Sequence, residues 1–276
     1  MPRLRTVARL IAVANQKGGV GKTTTVHSIG FALAEMGRRV LLVDLDPQAC
    51  LTYSAGIEAD SLDLSLHDVF QRRSKVTEVR QVVAGIDGLD ILPATIDLGG
   101  SAIELLYRNR REFVLGHHLK AVRDEYDMIL IDCPPSLGIL TINGLTAAEE
   151  VLIPFQCEAL SARGVEQLLE TIDDIRMFSN ERLCIRGVIA TMFEGHTRHC
   201  RAMLSFIKER YGLALLEPPV GKSVRFAEAP SLGCCIMEHA PLSPGAQAYR
   251  SIAADVDARV AVPTAIDLVD ALKAPA

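Results

Sequence analysis

The chain has 276 residues, 49% hydrophobic and 23% charged, which suits one large α/β domain or two small ones and excludes disorder over most of its length. A formal net charge of −5 excludes a surface coated in positive charge but leaves room for a local basic patch. Seven cysteines with no Cys-x-x-Cys pair match no zinc-site or disulfide spacing, and they read as reduced, buried thiols of a cytosolic protein.

Met1 to Thr6, followed by the apolar run Val7 to Ala14, resembles a signal peptide only in outline. Arg9 interrupts the run, no small-residue cleavage site follows, and a buried first strand, Leu10–Asn15, explains it better. Further near-continuous apolar runs follow at Val40–Asp46, Leu89–Pro93, Met128–Asp132, Val151–Phe155, Ile185–Met192 and Leu213–Pro218. Apolar runs without alternation suit strands covered on both faces, as in a parallel sheet. Helical spacing appears between them at Thr23–Met36, Val165–Phe178, Arg198–Tyr211 and Pro244–Val260, the first stopped by Gly37. This alternation predicts an α/β fold, a doubly wound and mostly parallel sheet with helices on both faces. One domain is expected over 1–262, with a loosely attached tail over 263–276. No apolar run reaches the ~18 residues a membrane span needs.

Between the first strand and first helix lies Lys17-Gly18-Gly19-Val20-Gly21-Lys22-Thr23-Thr24. In this strand-to-helix context, glycines let the backbone wrap an anion, and amide N–H groups at the helix start face phosphates. Lys22 is placed for the β- and γ-phosphates, the Thr23 hydroxyl for Mg²⁺, and Thr24 for the α-phosphate. Gln16 stands where the common phosphate loop has glycine, and Lys17 supplies a second lysine. Two strand ends carry aspartates: Asp44 and Asp46 before Pro47-Gln48, and Asp132 before Cys133-Pro134-Pro135. Carboxyl ends of parallel strands are where ligands bind in such sheets, and Asp132 suits a magnesium-holding aspartate.

The loop resembles the deviant phosphate-binding motif of the ParA/MinD ATPases, most closely the short chromosomal ParA/Soj type. Further matches run through Pro154–Glu158, Arg163-Gly164-Val165, Thr191-Met192-Phe193, His196-Thr197-Arg198 and Arg225–Gly233. The resemblance implies a slow, partner-stimulated ATPase that uses ATP and Mg²⁺ and dimerises around the nucleotide. Lys17 would reach the partner's nucleotide and Lys22 its own. Asp46 would position the attacking water, Asp44 would join the magnesium shell, and Pro134–Gly138 would form a switch segment. Asn143, just beyond that segment, carries no assignment. The family usually has Ile-Pro-Arg-Asn where this chain has Val220-Gly221-Lys222-Ser223, so the family's contacts to the base do not carry over residue by residue here.

The resemblance also implies non-specific DNA binding by the ATP dimer, with Arg198, Arg201, Lys222, Arg225 and Arg250 as candidates, a ParB-like partner, and a cytoplasmic, nucleoid-associated location. The absence of an Asn-Lys-x-Asp guanine motif points to ATP over GTP. Three alternatives share parts of this pattern. A MinD-like membrane-surface ATPase would need a basic amphipathic end, whereas 266–273 carries more acid than base. An iron–sulfur relative would need paired cysteines of which Cys133 and Cys157 are only faint candidates. A synthetase would need a second substrate pocket that no motif marks.

Overall fold

Strand β1 (Arg9–Val13) enters at the centre of an eight-stranded sheet, followed by β2 (Val40–Asp44), β3 (Gln81–Val82), β4 (Leu89–Leu92), β5 (Met128–Asp132), β6 (Glu150–Gln156), β7 (Cys184–Thr191) and β8 (Leu215–Leu216). The structure is a computed structural model that describes residues 7–158, 161–195 and 197–258, with backbone alone at 161 and 162. His196 and the tail over 263–276 therefore lie outside the described residues. The strand order is β3-β4-β2-β5-β1-β6-β7-β8, parallel throughout except for the antiparallel pair β3–β4. The mostly parallel, doubly wound sheet expected from the apolar runs is what forms.

Alternation along each strand divides the core between the two faces. Leu10, Ala12, Leu41, Val43, Ile129, Ile131, Val151 and Ile153 pack on one side. Ile11, Val13, Val40, Leu42, Met128, Leu130 and Leu152 pack on the other. The second side is covered by α1 (Lys22–Glu35), whose Gly30 allows the helix to press on the sheet. A Cβ at Gly30 would lie 2.5 Å from Leu42 Cδ2.

Between β2 and β5 the chain makes five short helices, α2 (Cys50–Ser54), α3 (Leu66–Phe70), α4 (Val76–Val79), α5 (Leu98–Leu105) and α6 (Val114–Leu119). After β5 come α7 (Ile139–Ala147), α8 (Ser161–Phe178), α9 (Arg198–Tyr211), α10 (Arg225–Ser231), α11 (Ile236–His239) and α12 (Pro244–Asp257). The last begins with Pro244 behind an N-capping Ser243, whose hydroxyl accepts from the Ala246 amide.

Two expectations are corrected. The run Leu213–Pro218 pairs only at Leu215–Leu216, because Pro218 and Pro219 lack the N–H a ladder needs. The helix expected from Val165 begins at Ser161. Arg9, the odd charge in the first apolar run, opens β1 and donates from Nε to Glu150 Oε1 at 3.0 Å and from Nη1 to the Val256 carbonyl at 2.7 Å. It thereby ties the sheet to α12.

Candidate nucleotide site

The loop between β1 and α1 is shaped by its glycines. Gly19 and Gly21 have φ of +72° and +84°, conformations a Cβ would strain, and Gly21 immediately precedes α1. The fourteen-residue helix then presents its unpaired first-turn N–H groups and positive dipole end to the loop. The loop is braced from behind. Thr191 Oγ1 donates to the Val20 carbonyl at 2.8 Å, and Asn15 Oδ1 accepts from the Lys17 amide at 3.0 Å.

The two lysines part company. Lys22 is 6% exposed, lines the cleft, and donates to the Lys17 carbonyl at 3.2 Å. Burial pushes its pKa down, while Asp132, Cys133 and Asp46 pull it back up. Lys17 is absent from the lining of the cleft, and its ammonium pairs with Glu158 just past β6.

Register places the aspartates. Asp44 and Asp132 are direct neighbours across the β2–β5 ladder. Asp132 is 1% exposed, and its Oδ2 accepts from the Thr23 hydroxyl at 2.7 Å. Its Oδ1 is buried without a hydrogen-bond partner. Burial and the Asp44 carboxylate together raise the Asp132 pKa well above the usual range. Asp44, fully buried, is pushed up to about 6 mainly by desolvation, against hydrogen bonds from Thr52. A hydroxyl, a buried unpartnered carboxylate oxygen and two adjacent carboxylates fit a divalent cation, whose charge would relieve both raised pKa values. Asp44 also orders the following turn. Its Oδ2 accepts from the Thr52 amide at 2.8 Å and hydroxyl at 2.7 Å, and its Oδ1 from the Asp46 amide at 3.2 Å. Asp46 lies beyond the strand, half-buried on the cleft wall, with Oδ1 accepting from the Gln48 amide at 2.9 Å.

These groups open onto a cleft of about 970 Å³, lined among others by Lys22, Thr23, Thr24, Asp46, Pro135 and Phe226. Its far wall, from Met192, Ala229, Pro230, Cys234, Cys235 and Ile236, was not legible in sequence. Neither Pro219 nor Lys222 reaches this lining. Pro135 stands beside the loop, with its Cβ 3.9 Å from where a Gly18 Cβ would sit. Asn143, unassigned above, is a buried strut. Its Oδ1 accepts from the Leu115 amide at 3.0 Å, and its Nδ2 donates to the Arg111 and Ile139 carbonyls, each at 2.9 Å.

The basic candidates divide. Arg198, Arg201 and Arg225 are exposed and make no ion pair among the described residues, whereas Lys222 lies 3.5 Å from Glu194. Arg250 grips Glu35 through Nε at 2.6 Å and Nη2 at 2.8 Å and donates to the Pro241 carbonyl, which fastens α12 to α1.

His27, also on the cleft, was missed. It is 3% exposed, its Nε2 has no partner, and burial lowers its pKa to about 4. Both folded and unfolded chains hold it neutral above pH ~6.5. As pH falls toward 4 the unfolded chain takes a proton the folded one refuses, so stability is lost with acid. In chelator-treated protein, going from pH 7 to pH 5 should cost about 2 kcal/mol more in wild type than in His27→Leu, measured by urea unfolding. Equal losses in both proteins would contradict this.

Comparison with known proteins agrees with the geometry. Residues 8–185 match a family described as an AAA domain. The chain is 41% identical to the sporulation initiation inhibitor protein Soj of Bacillus subtilis, covering 91% of this chain and 99% of that one. It is 42% identical to the chromosome-partitioning ATPase Soj of Thermus thermophilus, covering 93% and 98%. A solved Mycobacterium smegmatis structure, described as cobyrinic acid a,c-diamide synthase with bound ATP analogue and magnesium, superposes with a TM-score of 0.80 at 45% identity over 90% of this chain and 93% of that one. Among the described residues no helix is long and apolar enough to cross a membrane. Loop, strand-end aspartates and relatives converge: this chain belongs to the ParA/Soj chromosome-partitioning ATPases of the deviant phosphate-loop kind.

Proposed function

We propose that the chain is an ATP-driven dimerisation switch that hydrolyses ATP slowly and holds DNA non-specifically while dimeric, in chromosome or plasmid partition or cargo positioning. The observation that carries this reading is the division of the two loop lysines, Lys22 lining the cleft and Lys17 outside it. ATP with Mg²⁺ is the ligand the site fits, as in the Mycobacterium smegmatis structure. Bound magnesium would neutralise phosphate charge, with Thr23 and Asp132 as its holders and Asp44 beside them.

The chain's own residues then act as follows. Loop amides and Lys22 bind the phosphates. Asp46, set by the turn that Asp44 and Thr52 fix, orients the attacking water more than it deprotonates it. Pro135, packed near Gly18, puts the switch segment where it can feel an occupied loop. Lys17 exchanges Glu158 for the partner subunit's nucleotide, since a triphosphate enclosed between two subunits needs cations from both. A ParB-like protein would be the stimulating partner, in the cytoplasm on the nucleoid.

Two copies of a weak phosphate-binding surface bind by avidity, which makes DNA retention follow the nucleotide state. Arg225→Glu should weaken DNA retention of the ATP form and lower the slope of log affinity against log salt by about 0.9 per lost contact. ATP affinity should stay unchanged. Filter binding across a salt series reads both, and unaltered retention would remove Arg225 from the DNA surface. The name borne by the Mycobacterium smegmatis structure favours a second reading, a synthase. Turnover that answers to a small acidic metabolite and ignores DNA would select it.

A further inference from the structure

We propose that His27, Cys235 and Glu238 form a Zn²⁺ site beside the nucleotide cleft, distinct from the phosphate-loop magnesium position. One ligand atom from each residue, a ring nitrogen, a thiol sulfur and a carboxylate oxygen, lie within 4.8 Å of one another. A tetrahedral zinc with bonds of ~2.0–2.3 Å holds its ligands roughly 3.5 Å apart, a closure that small side-chain rotations supply.

One independent observation points to a ligand here. Buried polar atoms are nearly always partnered, yet His27 Nε2 is buried with none. Cys235 is 3% exposed and fixed at the start of α11. Glu238 Oε2 accepts from the Cys235 amide at 3.0 Å as part of the capping box of α11, which keeps the carboxylate near the thiol. Its Oε1 occupies space that only a glycine leaves, since a Cβ at Gly85 would come within 2.5 Å of it.

The donor set selects the metal. Imidazole, thiolate and carboxylate suit zinc, whereas magnesium takes oxygen ligands and keeps its water. On binding, the Cys235 thiol releases its proton to solvent as the sulfur–zinc bond forms, and His27 and Glu238 each give a lone pair. Thiolate and carboxylate then cancel the charge of the ion, which suits a site with two buried ligands. His27 and Cys235 both line the cleft, so water from it takes the fourth position. The ion would staple α11 to α1, and with it the cleft wall around Cys234 and Ile236. Sequence spacing hides such a site because its histidine comes from the first helix and its other two ligands from near the far end of the chain.

The test is a Co²⁺ titration of chelator-stripped, full-length protein without nucleotide or Mg²⁺, followed by Zn²⁺ displacement. The expected result is one tight equivalent per chain, with a thiolate-to-cobalt charge-transfer band that Zn²⁺ abolishes. Cys235→Ser should lose the band, and His27→Leu should weaken Zn²⁺ binding by at least about tenfold. Cys50→Ser and Cys234→Ser should change neither. Glu238→Gln, at an exposed position where the amide oxygen keeps the Cys235 contact, should also weaken binding at least about tenfold while the fold stands. No bound cobalt in wild type, no charge-transfer band, a band that survives Cys235→Ser, or full affinity in a folded Glu238→Gln protein would each overturn the proposal.

Discussion

Replacing Lys22 with alanine should weaken ATP binding by at least about 30-fold, because removing one member of a buried charge pair costs roughly 2–5 kcal/mol. Lys22 is 6% exposed, with burial pulling its pKa down and Asp132, Cys133 and Asp46 holding it up. Among the described residues it makes one hydrogen bond from Nζ, to the Lys17 carbonyl. Phosphate oxygens would provide the charge that the cavity only partly supplies. The folded protein should therefore tolerate the loss of Lys22, and the ligand should not. Isothermal titration with ATP and Mg²⁺, beside a thermal melt of the free variant, separates the two. Near-normal affinity in a folded Lys22→Ala protein would contradict its assignment to the phosphates.

Asp46→Ala should bind ATP normally and lower turnover by about a hundredfold or more, leaving an ATP-loaded dimer that persists. The reason is positional. Asp46 stands beyond β2 on the cleft wall, two residues past Asp44 and outside the Asp44–Asp132 register pair where the cation fits. Its carboxylate is held by the Gln48 amide, and its own amide is anchored on Asp44. Such a group can orient a water without carrying the metal. Phosphate release under single-turnover conditions, with the dimer population followed in parallel, measures both effects. A turnover rate equal to wild type would reject the catalytic role, and a loss of ATP affinity would move Asp46 into the binding set.

What the sequence revealed tracks what it encodes locally. The phosphate loop, the aspartates at the ends of β2 and β5, and the buried strands are each written in consecutive residues. They follow from backbone needs such as the positive φ of Gly19 and Gly21 or from strands covered on both sides. The five short helices between β2 and β5 were not legible, since helices this brief show little periodicity and are set by tertiary packing. The same holds for β3, two residues with Val82 exposed. Residues whose partners are remote were misjudged or left open. Arg250 reads as a surface cation until Glu35 is seen beneath it, and Asn143 is a strut between α7 and the start of α6 with the chain just before it. His27 sits in a helix where no spacing singles it out, and only the fold brings α11 against it. The far wall of the cleft is built from a segment that carries a family resemblance but no motif whose chemistry announces a pocket.

In the proposed switch, Lys17 exchanges its ion pair with Glu158 for a second subunit's nucleotide. Sedimentation velocity of wild type and Lys17→Ala, each saturated with Mg²⁺ and a non-hydrolysable ATP analogue, tests it most directly. Wild type should sediment as a dimer and Lys17→Ala as a nucleotide-bound monomer. A wild-type protein that stays monomeric, or a variant that dimerises as well as wild type, would contradict the account.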